Sequence, residues 1–287
     1  MRAYRIAYDG RDYHGFQRQP EVPTVSDAIL DTLRTLDVVD DRSVPAGYAA
    51  AGRTDAGVSA THQTVAFEAP GWLVPSALNS GLPAEVRAWA SAEVPAGFHA
   101  THDAVAREYT YYLHAGSSPQ DRSTAEPEPL RTASGDGVPA DRLARAREAA
   151  NALAGEHDFH NLTPDTAGTV RDLDLTCERA GRFLVVVVRA DGFPRQLVRR
   201  LVTVVDERAR GEADHSRIER LLRSEPVDGP EGIAPAPPEP LALTDVAYPD
   251  VAFTVDERAN ASATAVFDAR HRRHASLARV AGRLRDR

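Results

Sequence analysis

The sequence predicts an α+β protein with a mainly antiparallel sheet, built as two ferredoxin-like halves that divide near residue 104. Three observations lead there. Hairpin-like connections alternate with helical crossovers, whereas a doubly wound parallel sheet needs a crossover between every pair of strands. The order strand–helix–strand–strand–helix–strand recurs roughly twice. A chain of 287 residues, 42% hydrophobic and 26% charged, can bury one large core or two modest ones. On this reading residues 1–104 form an N-terminal α/β half, residues 105–250 a C-terminal α/β half, and residues 251–287 a basic extension.

Residues 2–8, with β-branched and aromatic content, form a strand that Asp9-Gly10 breaks, and a polar loop runs on through Gln19-Pro20. Thr24 is placed to cap a helix with Asp27 at its third position and Ile29, Leu30, Leu33 and Leu36 as its apolar stripe. A second strand should precede Arg53, a third should cover 63–68, a short helix 75–82 and a strand 86–94. Residues 107–114 alternate as a strand does, with Tyr109 and Tyr111 on one face and Tyr112 on the other. Residues 115–138, rich in Gly, Ser, Pro and acid, read as a long surface loop. A helix follows over 141–154, then an apolar strand over 183–189. Asp191 is placed to cap a helix reaching about Arg210, with Pro194 in its first turn. Residues 241–248 form a final strand, and 269–285 a basic helix or a disordered tail.

The chain has no lysine. All 34 basic residues are arginine, against a formal net charge of -8, which suggests a GC-rich genome and suits a salt-adapted one. That acidity argues against non-specific coating of nucleic acid, though not against a local basic cleft. Charge is uneven: residues 256–287 carry eight Arg against four acids, a net of +4, which leaves -12 for the rest. The single cysteine, Cys177, excludes an internal disulfide and a Cys-based zinc cluster, and reads as a small buried residue. No apolar run approaches a membrane span, and the chain opens straight into a strand without a signal peptide, so a cytoplasmic protein is expected.

Three segments offer chemistry. Gly52-Arg53-Thr54-Asp55-Ala56-Gly57 lies between two apolar, strand-like stretches. Thr-Asp-Ala-Gly alone is good turn chemistry. With Arg53 beside it, Asp55 also suits a carboxylate nucleophile or base kept ionised by a cation. No HExxH, paired Asp or Ser/His constellation surrounds it, so metal chemistry and acyl transfer find little support. Arg107-Glu108-Tyr109-Thr110-Tyr111 is either a half-buried strand or an aromatic face for stacking a base. In Phe193-Pro194-Arg195-Gln196-Leu197-Val198-Arg199-Arg200, Arg195 and Arg199 are four apart and so expected on one helix face. These arginines are open to three readings: a solvated edge, an anion site, or a carboxylate's partner.

In their order, these segments resemble the tRNA pseudouridine synthases of the TruA type. Tyr8-Asp9-Gly10 followed by Gly15-Phe16-Gln17-Arg18-Gln19 is similar to the family's opening strand and loop. Ala51 through Val58 resembles the catalytic signature, with Asp55 at the nucleophile's place. Phe98-His99-Ala100 with Arg107-Glu108-Tyr109 resembles the segment whose tyrosine contacts the target base. Gly155-Glu156-His157-Asp158-Phe159 resembles a family turn, and Phe193 through Arg199 the helix whose arginine pairs with the aspartate. The likeness runs from about Tyr4 to Tyr248. Ser59, where many bacterial members carry His, and the Pro194-Arg195-Gln196 run are departures that suggest an archaeal or eukaryote-like branch.

The resemblance implies the pseudouridine synthase fold, two ferredoxin- or RRM-like halves sharing a mainly antiparallel sheet with the active-site cleft between them. It implies an isomerase that converts uridine to pseudouridine in the tRNA anticodon stem-loop, at positions 38–40, without cofactor or metal. Asp55 would be the catalytic nucleophile or base, Tyr109 would stack on the uracil, Arg199 would hold Asp55 ionised, and Arg53 would help displace the base. Arg11, Arg18, Arg195 and Arg200 are candidate RNA phosphate contacts, and the arginines after residue 269 are further ones. A homodimer and a tRNA partner are implied as well. A non-catalytic module binding structured RNA and a small-molecule hydrolase are the competing readings.

Overall fold

A computed structural model describes residues 1–41, 43–115, 137–227 and 232–285. Most of the loop expected at 115–138 therefore lies outside the described residues. In chain order the strands are β1 (Arg2–Tyr8), β2 (Ala49–Ala50), β3 (Ser59–Phe67), β4 (Val86–Glu93), β5 (Ala106–His114), β6 (Gly155–Asp158), β7 (Val170–Ala180), β8 (Phe183–Ala190), β9 (Leu241–Ala247) and β10 (Thr254–Val255). The helices are α1 (Val25–Thr35), α2 (Pro75–Leu78), α3 (Ala140–Leu153), α4 (Leu197–Arg210), α5 (His215–Leu221) and α6 (Glu257–Arg285). The class is α+β, as expected, with antiparallel pairing throughout the registered ladders. Two compact units are formed, one by residues 1–105 with 246–287, the other by 106–245.

In the first unit β1 lies between β3 and β4, with β10 beyond β4 and β2 paired to β3. Ala3, Tyr4, Ile6, Ala7 and Tyr8 are all buried, so β1 is covered on both faces and carries a nearly continuous apolar run. Tyr4 stacks on Phe67 with ring centroids 5.1 Å apart, and its hydroxyl donates to the Leu73 carbonyl at 2.7 Å. A buried phenol needs such a partner. The Thr24 cap forms as expected: its hydroxyl accepts from the Asp27 amide at 3.2 Å and donates to the Asp27 carboxylate at 2.5 Å. Ile29, Leu30 and Leu33 are fully buried below it.

Residues 246–287 belong to this unit. Asp256 starts α6, accepting the Ala259 amide at 3.0 Å, and also accepts the Ser76 amide of α2 at 2.9 Å. The helix thus begins twelve residues before the basic stretch that announces it in the sequence. Its first half, through Ala259 and Ala263, packs on β4. From His271 to Ala281 every residue is exposed.

In the second unit β5, β8 and β7 run side by side, with β6 beyond β7 and β9 beside β5. Leu184, Val186, Val188 and Ala190 of β8 and Leu173, Leu175 and Cys177 of β7 form one buried face. Helices α3 and α4 pack together over this side, α3 directly on β7. Cys177 is buried as expected, and burial pushes its thiol up to about 11, far from the reactive range.

The second unit corrects the sequence reading in two places. Strand β7 alternates Leu173, Leu175 and Cys177 with Asp172, Asp174, Thr176 and Glu178, and its acidic outer face gives it the composition of a loop. Helix α4 starts at Leu197, not at Asp191. Gln196 adopts the left-handed conformation with φ 59°, which stops the helix from extending back through Pro194. Arg195 therefore lies before the helix and does not share a helical face with Arg199.

Thr24→Ala should destabilise the protein by about 1 kcal/mol, and Thr24→Ser should restore most of it. Urea denaturation at neutral pH checks both.

Candidate active site

Asp55 sits in a tight loop between β2 and β3, and the rest of the first unit holds that loop from three sides. Behind it, Gln63 is fully buried on β3, and its amide group clamps Gly52: Nε2 donates to the Gly52 carbonyl at 2.9 Å, and Oε1 accepts the Gly52 amide at 3.2 Å. The Tyr8 and Thr54 hydroxyls meet at 2.8 Å, and burial pushes the tyrosine up to about 12, so it stays neutral. In front, the 9–19 loop is bonded to the Asp55 loop through its backbone. The Phe16 amide donates to the Thr54 carbonyl and the Gly57 amide to the Tyr13 carbonyl, both at 3.1 Å. Within the loop the Val58 amide closes a turn on the Asp55 carbonyl at 3.1 Å. Ser59, at the position where the resemblance departs, accepts the Gly10 amide at 3.1 Å.

This closeness demands two glycines. A Cβ on Gly10 would lie 1.9 Å from the Val58 carbonyl oxygen. Gly15 has φ +95°, and a Cβ there would lie 2.8 Å from the Thr54 carbonyl oxygen. Asp55 is half-buried, and Arg53 is exposed.

Beside this loop pair lies a charge cluster. The Asp9 carboxylate is buried and accepts from Arg11 Nε at 2.7 Å, from Arg11 Nη2, and from Arg270 Nη1 of α6 at 2.5 Å. Burial alone would raise the Asp9 pKa, but these bonds outweigh it and hold the carboxyl at about 2. Arg270 also reaches Glu85 at 3.5 Å, and Glu85 accepts from the Tyr13 hydroxyl at 3.2 Å. Arg11 Nη2 lies 2.7 Å from His274 Nε2. A guanidinium only donates, so that imidazole nitrogen is the acceptor.

Tyr109 and Arg199 belong to the second unit. Tyr109 is half-buried on β5, its ring edge-on to Phe193 at 5.3 Å. Tyr111, on the same face of the strand, is buried, and its hydroxyl is pushed up to about 12 chiefly by that burial, with the nearby Arg199 charge opposing. Arg199 donates from Nε to the Ala236 carbonyl at 2.6 Å, a bond that fixes its side chain along α4.

The four candidate phosphate contacts have protein partners. Arg11 is held by Asp9, and Arg18 pairs with Asp27 at 2.8 Å. Arg195 is bonded to Asp165 by both its amide, at 2.8 Å, and its Nε, at 2.5 Å. Arg200 donates to the Ile233 carbonyl and to Gln196 Oε1. The sequence reading missed Gln63, Tyr8 and Asp9 as supports of the loop. Tyr8-Asp9-Gly10 stood in a quoted motif, but nothing marked Gln63 beyond a polar residue inside an apolar strand. No group of three or more metal-ligating residues occurs among the described residues, and no helix among them is long and apolar enough to cross a membrane.

A family model described as tRNA pseudouridine synthase matches residues 149–249, a stretch that contains Arg199. Whole-chain relatives extend the likeness beyond that stretch. The chain is 54% identical to a tRNA pseudouridine synthase A of Haloarcula marismortui, over 100% of this chain and 99% of the relative. It is 55% identical to the same-named protein of Natronomonas pharaonis, over 99% and 98%. It is 36% identical to that of Methanosarcina acetivorans, over 86% and 84%. An α+β chain more than half identical to two such proteins over its whole length is a pseudouridine synthase in class. The chain belongs to the tRNA pseudouridine synthase family.

Gly10→Ala should destabilise the protein by about 1–3 kcal/mol or more, because a backbone carbonyl occupies the space. Gly71→Ala, whose Cβ would meet nothing within 4 Å, should leave the urea midpoint unchanged. Asp9 contributes stability that is present above its unfolded pKa near 3.8 and lost as pH falls toward about 2. Asp9→Asn should therefore cost about 1–3 kcal/mol at pH 7 and flatten stability measured between pH 4 and pH 2.

Proposed function

We propose that this chain isomerises uridine to pseudouridine in tRNA, with Asp55 as the nucleophile or base. The observation that carries this reading is the Asp55 loop itself. The loop that carries this one carboxylate is held by a buried amide clamp on Gly52, a hydroxyl pair at Thr54 and two close glycine contacts, in a chain more than half identical to named synthases over its whole length. The reaction breaks the bond from C1′ to N1, turns the uracil, and joins C1′ to C5. The C5 proton is released to solvent and N1 gains one, so no redox equivalent is consumed.

The family resemblance supports a role for each remaining residue. Tyr109 stacks on the uracil and takes part in proton transfer. Arg199 keeps the catalytic carboxylate ionised and oriented. Arg53, exposed beside Asp55, helps displace the target base, which must leave its stack at a cost of a few kcal/mol. The substrate is the anticodon stem-loop at positions 38–40, bound by a cytoplasmic homodimer.

Asp55→Ala and Asp55→Asn should reduce tritium release from tRNA labelled at uridine C5 to background while tRNA affinity stays near that of the wild type. Full activity in Asp55→Ala would sink the assignment. Tight tRNA binding by the wild type without any tritium release would point instead to a non-catalytic RNA-binding protein.

A further inference from the structure

The segment from Ala269 to Arg285 holds six arginines and no Asp or Glu, in a chain whose net charge is -8. Arg270 is taken up by Asp9 and Glu85, and Arg272 by Asp268 one turn back. Among the described residues no carboxylate pairs with Arg273, Arg279 or Arg283. Positions 272, 276, 279 and 283 fall on one stripe of α6, so Arg272, Arg279 and Arg283 share a face with Ser276. Their Cα atoms are spaced by roughly 10 and 6 Å along the axis, from a rise of about 1.5 Å per residue.

Ordinary accounts of this row fall short. Arginines favour a helix C-terminus through the macrodipole, but that effect fades beyond the last turn and leaves Arg279 unexplained, while Arg272 has only its exposed pair with Asp268. Packing does not explain it either, since residues 271–281 are exposed. A short unpacked helix is marginal in water, yet this one continues a helix that β4, Asp9 and Glu85 hold in place. The anchor is specific: the Asp9 that grips Arg270 opens the loop whose Gly10, Tyr13 and Phe16 contact the Asp55 loop.

We infer that the end of α6 is a second RNA-contacting surface, in which Arg272, Arg279 and Arg283 bind backbone phosphates of the tRNA substrate outside the reacting nucleotide. This rests on the tRNA reading proposed above. A polyanion suits a row of exposed cations whose one acid, Asp268, sits at its inner end beside Arg272. A second copy of this chain fits less well. The neighbouring stripe offers Leu277, Val280 and Leu284, 52%, 57% and 63% exposed. Three aliphatic side chains supply a small part of the ~800 Å² per partner that a stable interface buries.

The test uses the full chain carrying R272Q, R279Q and R283Q together, three exposed changes, with retained folding checked by circular dichroism. Affinity for an unmodified tRNA transcript is measured over a salt series, with single-turnover tritium release and sedimentation in parallel. The expected result is a loss of affinity of about tenfold or more at low salt, and a log K against log salt slope shallower by about two to three. The loss falls on KM more than on kcat, and the corresponding triple Lys variant restores both affinity and slope. An unchanged affinity and slope in an active protein overturns the inference and leaves the isomerase reading standing. A change in oligomeric state with an unchanged slope assigns the face to a second copy and overturns it too. A wild type that neither binds tRNA nor releases tritium removes the functional reading itself.

Discussion

The close approach of two loop backbones governs the first unit. At Gly10 the Val58 carbonyl stands where a side chain would begin, and at Gly15 the Thr54 carbonyl does nearly the same. Contact this tight fixes the path of the 52–59 loop as firmly as a strand pairing would. Three amide–carbonyl or amide–hydroxyl bonds cross the seam, from Phe16, Gly57 and Gly10. A carboxylate on such a loop loses little freedom when a ligand arrives, because the loop is already ordered by the fold. Gln63 completes the arrangement from the other side. Fully buried, its amide satisfies both backbone groups of Gly52, which would otherwise be costly to enclose.

The arginine-only composition gives the electrostatics a consistent form. Guanidinium groups offer several donors in a planar fork, so one arginine joins two or three acceptors at once. Arg11 links Asp9 to His274, Arg270 links Asp9 to Glu85, and Arg195 closes on Asp165 through side chain and backbone together. These pairs are geometric devices more than sources of stability, since exposed ion pairs contribute only ~0–1 kcal/mol each. Asp9 differs because it is buried with two cations. Removing it would leave both guanidiniums without their common partner, and α6 with its His274–Arg11 contact to the 9–15 loop but not its buried one.

Much of this was legible in the sequence, for physical reasons that differ by element. Strands β1, β3, β4, β5 and β8 have an apolar run or alternation strong enough to announce itself, and Thr24 with Asp27 announces the start of α1. Strand β7 was hidden because only three inward positions are apolar and the outward ones are acidic. The start of α4 was misplaced because the Asp165 and Thr163 contacts that bend the chain at Arg195 come from 30 or more residues away. The start of α6 was missed because its first half is rich in Ala and carries no clear stripe, and Asp256 is one more acid until Ser76 and Ala259 are seen to donate to it. At the site, motif order pointed to Asp55, but no local signal pointed to Gln63, whose role depends entirely on which backbone lies opposite.

Two kinds of residue therefore shape the Asp55 loop, and only one kind can be read along a line of text. Asp55 and Arg53 are conspicuous through the ordered series of motifs they stand in, not by type, since Asp is common in turns. Gly10, Gln63 and Asp9 are ordinary by type and matter through what faces them. The second kind also connects distant parts of the first unit. Asp9 receives a guanidinium from residue 270, which brings the basic end of the chain to the loop that supports the carboxylate. If this anchor did no more than tidy a C-terminal helix, the helix could stop at His274, which still meets Arg11 of the 9–15 loop. It continues for about three more turns with arginines on its exposed face, and the inference of a second RNA-contacting surface rests on that length.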